Sequence, residues 1–535
     1  MMYYHIILIT ICFLLINVHT YKILGIFPLA FKSHNIFFQS LMKSLAKKGH
    51  QVDIISYYEA KNPPENYHDI INLSKLPNSS YFYSKSKFTS IQDAIANSQS
   101  FINLLNDVYG LPICKIISHE KIQNFIRNLP KNSPYDAVIT EGLSAPCYYG
   151  FGFLLKVPII SASSNFEFTP LSKQMGNPAC MSFMPTALLQ KLDLKIFWNR
   201  LKNTIASHLG EIFFFLVSEN QSEIMRKYLN PNIPSIREVE RNVALSLLNT
   251  HHSLRGVKPV TGAVIEIAGI HIEEDNSTVT SELKQWMDES VHGIVYMSFG
   301  TTVTVESLPR ETILSIFSSF AKLAPMRILI KVINRNKLPP KIPNNILTMK
   351  WIPQIPVLNH RNTRLFITHG GIHSIMEALY FGVPVIGIPL FYDQNPNVHL
   401  LVTKNMCTVL DHNEITENNM DLALSKMLND TRVRESAEYH SKLFRDRPMS
   451  ARNEAVYWIE YIIRNGAESL RSPAVKMYWW EIELFDIYGF LFLSMIIIIF
   501  LIIITVKTIL KWCKINNKIF ILTNDGSSKY HVRNA

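Results

Sequence analysis

The run from Ile487 to Val506 contains no charged residue and includes Ile496-Ile497-Ile498-Ile499-Phe500-Leu501-Ile502-Ile503-Ile504. As a helix rising ~1.5 Å per residue it spans roughly 30 Å, the thickness of a bilayer core. A membrane-crossing helix is predicted over 487–506, and it confines everything before it to one side of the membrane. Trp479 and Trp480 precede the run, Tyr488 opens it and Trp512 follows it, as aromatic residues do at membrane interfaces. Lys507, Lys511, Lys514 and Lys518 come after it, whereas Glu481, Glu483 and Asp486 come before or at its start. The positive-inside rule then puts the basic tail, 507–535, in the cytosol and the main body in a lumen. A second apolar stretch, Ile6 to Val18, reads as a signal peptide over residues 1–20, with Thr20 as the small residue before cleavage.

The remaining chain is long and apolar enough for large cores, with 535 residues of which 47% are hydrophobic and 18% charged. The formal charge of +11 does not point to nucleic acid, because no dense Lys/Arg block of that kind occurs. Sequons at Asn72, Asn78, Asn220, Asn276 and Asn429 agree with a luminal body. Cys114, Cys147, Cys180 and Cys407 lie in that body, either paired or buried as thiols, without zinc spacing.

Short β-branched strands alternate twice with amphipathic helices, the pattern of an α/β fold with parallel sheets. The first series has strands at Lys22–Phe27, Val52–Ser56, Asp136–Thr140 and Val157–Ala162. Its first loop is Pro28–His34. The helix after it carries Phe37, Phe38, Leu41, Met42 and Leu45 on one face. The second series has strands at Ile294–Ser298, Arg327–Val332, Leu365–Thr368 and Val383–Ile388, and a helix from His373 to Phe381 closed by Gly382. Domains are expected at 21–255 and 256–450. A helical and juxtamembrane segment, 451–486, follows them. Ligands of such sheets bind at the carboxyl ends of strands, so the site is expected in the cleft between the two domains.

The segment from Trp351 to Gln394 carries the chemistry. Thr368-His369-Gly370-Gly371 lies where a strand ends and a helix begins, so the backbone admits a close ligand and the helix amides favour a phosphate. His369 would add a hydrogen bond or positive charge to a diphosphate. Glu377, one turn into that helix beside His373, suits ribose hydroxyls. Trp351 offers a flat face to a planar base, and Asp393-Gln394, which follow another strand, suit sugar hydroxyls. Each alone is also readable as a turn, a core residue or a helix cap; together, in order, they are specific.

This stretch resembles the signature of the UDP-glycosyltransferases, the family that includes the UDP-glucuronosyltransferases, and insect members in particular. The similarity extends to Gly269-Ile270-His271, Tyr296-Met297-Ser298-Phe299-Gly300-Thr301, Gly176-Asn177-Pro178 and Arg445-Asp446-Arg447-Pro448-Met449. The resemblance implies two Rossmann-like domains facing a cleft (the GT-B arrangement). It implies that Trp351 stacks on uracil and Gln354 bonds the uridine. His369, the amides near Gly371, Ser374 and Thr301 hold the diphosphate, with Gly370 shaping the turn. Glu377 binds the ribose, and Asp393 with Gln394 the transferred sugar. His373 stands where vertebrate members often carry Asn, which leaves the sugar preference open.

Transfer to a hydroxyl needs a base, and an imidazole oriented by a carboxylate is suited to that role. His34, in the loop after the first strand, is read either as a helix cap or as this base, and the resemblance selects the base. The matching carboxylate is Glu141, where the family has Asp; Asp136 stands at the opposite strand end and reads as structural. No Asp-x-Asp motif is present, so no metal or cofactor is expected. The function expected is inverting transfer of a hexose, glucose first and glucuronate second, from a UDP-sugar to a small lipophilic acceptor. It is expected to be a conjugation reaction at the endoplasmic reticulum membrane. The alternative is a non-catalytic UDP-sugar-binding partner of active relatives. Self-association is left open. The acceptor is not legible: 65–220 is rich in Phe, Tyr, Leu and Ile, and Phe213-Phe214-Phe215 reads as pocket lining, bilayer contact or ordinary core.

Overall fold

A computed structural model describes residues 20–76, 110–143, 145–165, 169–186, 189, 192–273, 275, 277–301 and 303–527. Residues 1–19, Asn78 and Asn276 lie outside them, and with them most of the expected signal peptide and two of the sequons. The chain divides into two compact units, Met1–Ser472 and Pro473–Ala535.

The first unit holds two parallel sheets. One contains β1 (Lys22–Phe27), β2 (Gln51–Ser56), β3 (Tyr67–Asn72), β4 (Ala137–Glu141), β5 (Ile159–Ser163), β6 (Val243–Leu248) and β7 (Val264–Glu266), in the order β3-β2-β1-β4-β5-β6-β7. The other contains β8 (Ile294–Ser298), β9 (Arg327–Lys331), β10 (Ile346–Met349), β11 (Thr363–Thr368), β12 (Val385–Gly387) and β13 (Cys407–Val409), in the order β10-β9-β8-β11-β12-β13. Strand β7 pairs with β6, so the first sheet continues past the boundary expected at residue 255.

The helices that bear on the site are α1 (Lys32–Lys47), α2 (Gln354–Leu358), α3 (Ile372–Phe381), α4 (Gln394–Val402) and α5 (Ala451–Asn465). Alternation along the central strands sends side chains to both faces, and both faces are buried there. Leu24 and Ile26 enter one core while Ile23 and Phe27 enter another, where Phe37, Phe38, Leu41, Met42 and Leu45 of α1 meet them. Val295 and Met297 likewise face away from Ile294 and Tyr296. Helix α5 follows the second domain in sequence but packs on the first: Ala451, Ala455, Ile459 and Ile462 join the core of β1 and α1. The Glu273 carboxylate accepts from the Ala451 and Arg452 amides, both at 3.0 Å, capping α5 at its start. His50 Nε2 lies 2.9 Å from Glu460 Oε1 on the same helix.

A disulfide joins Cys114 to Cys147, which resolves two of the cysteines left open by the sequence and fits an oxidising compartment. Cys407 is a buried thiol.

In the second unit, α6 (Phe485–Ser527) contains a stretch, Phe485–Asn517, long and apolar enough to cross a membrane. The helix begins close to the expected Ile487 and continues beyond Val506 through the lysines.

Candidate functional site

In each sheet the strand order reverses at one place, between β1 and β4 in the first and between β8 and β11 in the second. The loops after these strands diverge and leave a crevice at their carboxyl ends. His34 follows β1 and Glu141 ends β4; Thr301 follows β8, and His369, Gly370 and Gly371 follow β11. The sequence-predicted residues therefore gather at both crevices. Contacts across the domains bring the crevices together: Lys32 Nζ lies 4.2 Å from the Trp351 ring centroid, and Asn165 Nδ2 donates to Asp393 Oδ2 at 3.1 Å.

His34 is not in the loop. Helix α1 starts at Lys32, with Phe31 at its N-cap and no side-chain cap, so His34 stands in the first turn. That turn aims Nδ1 at Glu141 Oε1, 2.6 Å away. Glu141 is itself the last residue of β4, so its longer side chain reaches His34 from the strand end. Burial raises its carboxyl above the usual range, and the charge and hydrogen bond of His34 only partly offset this. With Nδ1 engaged, Nε2 is the ring nitrogen left for chemistry. Asp136 does other work: its Oδ2 accepts from the Lys22 amide at 2.7 Å, fixing the start of β1.

The turn after β11 depends on its glycines. Gly370 has φ +91°, and a Cβ there would stand 2.4 Å from Val398 and 2.8 Å from the Gln394 carbonyl. No other residue allows α4 so close. His369 is buried against Gly300 and Gly371. Burial, and then the charge of Lys331, push its imidazole down to about 4. It is therefore neutral in the unliganded protein, which leaves the hydrogen bond, of the two roles expected, as the one it offers before a ligand arrives. The cation is Lys331, at the end of β9. Its Nζ donates to the Gly300 carbonyl at 2.6 Å and lies 4.7 Å from the Trp351 ring. Burial and the neighbouring Lys32 push it down to about 8, with Glu306 opposing. Two lysines close to one aromatic ring, one of them acted on by the charge of the other, are stabilised by an arriving anion. Sequence reading missed both; Lys331 was findable as a basic residue at the carboxyl edge of a parallel strand.

Trp351 is 53% exposed, and its ring is covered in part by the ammonium groups of Lys32 and Lys331. Behind it runs a buried polar chain. The Tyr296 hydroxyl donates to Gln354 Oε1 at 3.1 Å; Gln354 Nε2 donates to Ser374 Oγ at 3.0 Å and to Glu377 Oε2 at 2.6 Å. His271 Nε2 lies 3.2 Å from Glu377 Oε1. Burial raises Glu377 to about 7, against the bond from Gln354 and the charge of His373. Tyr296 and His271 belong to the motifs quoted above but had no role assigned. Thr301 is exposed beyond β8. At the other end, Asp393 Oδ2 accepts from Asn397 Nδ2 at 2.6 Å as well as from Asn165. Gln394 Oε1 accepts from the Leu390 and Phe391 amides, at 2.8 and 3.1 Å, so its carbonyl braces the loop and its Nε2 is the part able to serve a sugar. The buried guanidinium of Arg255 donates to Asn397 Oδ1 at 3.0 Å, a basic group near Asp393 that the sequence did not reveal.

On the acceptor side, Phe213–Phe215 lie in the helix Phe197–Ser218. Phe214 is buried and Phe215 half-buried, but Phe213 is exposed together with Trp198, Leu201, Ile205, Leu209, Ile212 and Leu216, so core packing does not account for Phe213.

The chain is similar to known proteins along nearly its whole length. The protein-family model described as UDP-glucoronosyl and UDP-glucosyl transferase matches residues 22–519. The chain belongs to this family. A UDP-glucosyltransferase 2 of Dactylopius coccus is 33% identical over 482 residues, covering 88% of this chain and 90% of that one. Human UDP-glucuronosyltransferase 1A6 is 26% identical, with 88% of each chain covered. Among solved structures, Phytolacca americana UGT2, complexed with UDP-2fluoro-glucose and pterostilbene, matches 83% of this chain and 100% of its own with a TM-score of 0.54 at 15% identity. As a UDP-glycosyltransferase of GT-B fold, the protein is an enzyme that transfers a sugar from a UDP-sugar.

Proposed function

We propose that the enzyme transfers glucose from UDP-glucose to a hydroxyl of a small lipophilic acceptor, with inversion at the anomeric carbon and without a metal or cofactor. The observation that carries this reading is the 2.6 Å contact between His34 Nδ1 and Glu141 Oε1 at the crevice of the first sheet. His34 Nε2 takes the acceptor proton, while Glu141 orients the ring and stabilises the imidazolium. The acceptor oxygen attacks C1, and the bond from C1 to the diphosphate breaks with its electron pair on oxygen. Lys331, the amides at the start of α3, Ser374 and Thr301 hold the diphosphate, with His369 as a neutral hydrogen-bonding partner. Uracil replaces the lysine ammonium groups on Trp351, Gln354 bonds the uridine, Glu377 the ribose, and Asp393 with Gln394 Nε2 the sugar. A lumen-facing body on a single span, in the endoplasmic reticulum, fits the disulfide, the sequons and the basic residues after the span; conjugation of lipophiles fits that location.

UDP-glucuronate is the second donor to test, because Arg255 beside Asn397 and Asp393 places a cation near the sugar end. Microsomes containing the protein, offered each donor separately with a panel of phenols, are expected to release UDP from UDP-glucose. Release from UDP-glucuronate alone reverses the donor assignment. Thermal protection by UDP-glucose without release from either donor favours a non-catalytic binding protein. Trp351→Ala tests the base platform: stacking on one base is worth about 1–3 kcal/mol, so KM for the donor is expected to rise roughly 5- to 150-fold. An unchanged KM removes Trp351 from uracil binding.

A further inference from the structure

The helix Phe197–Ser218 is amphipathic in reverse. Its inner side is fastened by polar contacts. Asn203 is buried; its Nδ2 donates to the Met181 and Met184 carbonyls, each at 2.9 Å, and its Oδ1 accepts from the Thr186 amide at 2.7 Å. Glu211 Oε2 lies 2.5 Å from Lys173 Nζ on the neighbouring helix Thr169–Gln174. The Arg237 guanidinium stands 4.7 Å from the Phe215 ring centroid. The outer side is apolar. Trp198, Leu201, Ile205, Leu209, Ile212 and Leu216 recur at steps of three and four residues, and all are exposed. A helix on the surface of a water-soluble body shows the opposite arrangement.

Width and charge say what covers this face. With Phe197 and Phe213 at its borders, the exposed apolar surface takes up roughly 160° of the helix circumference at 100° per residue. That is wider than the seam along which one helix packs on another. From Trp198 to Leu216 it runs for about 27 Å. Lys202 and His208 are the only polar side chains exposed on the helix. Its one carboxylate, Glu211, is taken by Lys173, and Glu219, just past its end, lies 3.6 Å from Arg237. Lys195, exposed just before the helix, and Lys202 put cations at its first turns. Their stems can follow apolar surface while the ammonium groups stay at the polar boundary, and a Trp beside them suits that boundary. The same chain contains Phe485–Asn517, long and apolar enough to span, so a bilayer is always within its reach.

We propose that the helix Phe197–Ser218 is a second membrane contact, lying in the plane of the bilayer with Leu201, Ile205, Leu209, Ile212 and Leu216 among the acyl chains and Lys195 and Lys202 at the lipid phosphates. A helix of this kind sinks by about 5–10 Å. It does not cross, because Asn203 and Glu211 hold its inner side to protein. The helix to which Lys173 ties it also matters: Leu171 and Ser172 line a cavity together with Gly142, the residue after Glu141. The lipid contact and the strand ending at Glu141 are therefore separated by one short helix.

The test reconstitutes the full chain in phosphatidylcholine vesicles that include a phosphatidylcholine with a photoactivatable acyl chain. After irradiation and digestion, lipid adducts are mapped by mass spectrometry. Adducts are expected on peptides from 197–216 as well as on those from 485–517. In the double variant Ile205→Glu with Leu209→Glu, both changes are at exposed positions, and the thermal midpoint in detergent is expected to stay at the wild-type value. Its adducts over 197–216 are expected to fall by about tenfold or more, with those over 485–517 unchanged. Ile205→Gln with Leu209→Gln is the second variant, should the carboxylates disturb folding. Wild-type adducts confined to 485–517 overturn the proposal and give the face another cover, a second copy of the chain or its own residues 77–109. Adducts over 197–216 undiminished in both variants also overturn it, since lipid then only collides with the face.

Discussion

His34→Ala is expected to lower kcat by about 10²–10⁴-fold while leaving UDP-glucose binding nearly unchanged. The argument is positional. The Nδ1–Glu141 contact of 2.6 Å fixes the ring and commits one nitrogen, so the other alone can accept the acceptor proton. Uridine and ribose are handled by the second domain through Trp351, Gln354 and Glu377, which His34 does not touch. Removing the imidazole also leaves Glu141 buried with neither oxygen bonded, since Oε2 already has no partner among the described residues. That loss costs about 1–3 kcal/mol of stability, so His34→Gln belongs beside the alanine variant. The amide refills the contact with Glu141 yet cannot act as a base. UDP release by both variants at saturating donor, with donor binding followed by thermal shift, checks the prediction. Wild-type turnover in either variant takes His34 out of the reaction.

Much of this was legible in the sequence because the fold is periodic. The sequence bounds for Lys22–Phe27 and Ile294–Ser298 agree with the structure, since Pro28 stops the first run and Gly293 and Gly300 bracket the second. The helix closed by Gly382 was also legible, because a left-handed cap at φ +66° calls for glycine. What failed was the start of α1. No side-chain cap marks it, so the sequence places His34 in a loop although the helix has already begun at Lys32. The donor residues were legible as types in an order, but their charge states were not. Whether His369 is an imidazolium depends on burial and on Lys331, which is remote in sequence and adjacent in space. Lys32, Arg255 and Asn165 were missed for the same reason: their relevance comes only from the two domains meeting.

Glu141→Gln is expected to lose activity and gain stability at once. The activity argument follows the tautomer. An ionised Glu141 accepts from Nδ1–H and leaves Nε2 with the lone pair that a base needs. An amide can instead donate to Nδ1, leaving a hydrogen on Nε2, and in a serine-protease triad the equivalent swap costs about 10⁴ in kcat. A comparable fall is expected here. Glu141→Asp keeps the charge but withdraws it by a methylene, so a smaller loss, up to about 10²-fold, is expected. The stability argument runs the other way. Burial raises the Glu141 carboxyl above its unfolded value even after His34 has compensated. A carboxyl raised in the folded state favours folding fully only below its unfolded range, and this contribution is lost as pH rises through the folded value. At neutral pH the buried carboxylate therefore burdens the fold, and the isosteric amide removes that burden. The thermal midpoint of Glu141→Gln should exceed that of wild type at pH near neutrality, and the difference should shrink as pH falls toward the ordinary carboxylate range. Midpoints of both proteins across that range, measured with UDP release, check the two halves together. If the variant is less stable at every pH, the His34 contact is worth more than the desolvation it offsets, and the carboxylate is held for structure as much as for catalysis.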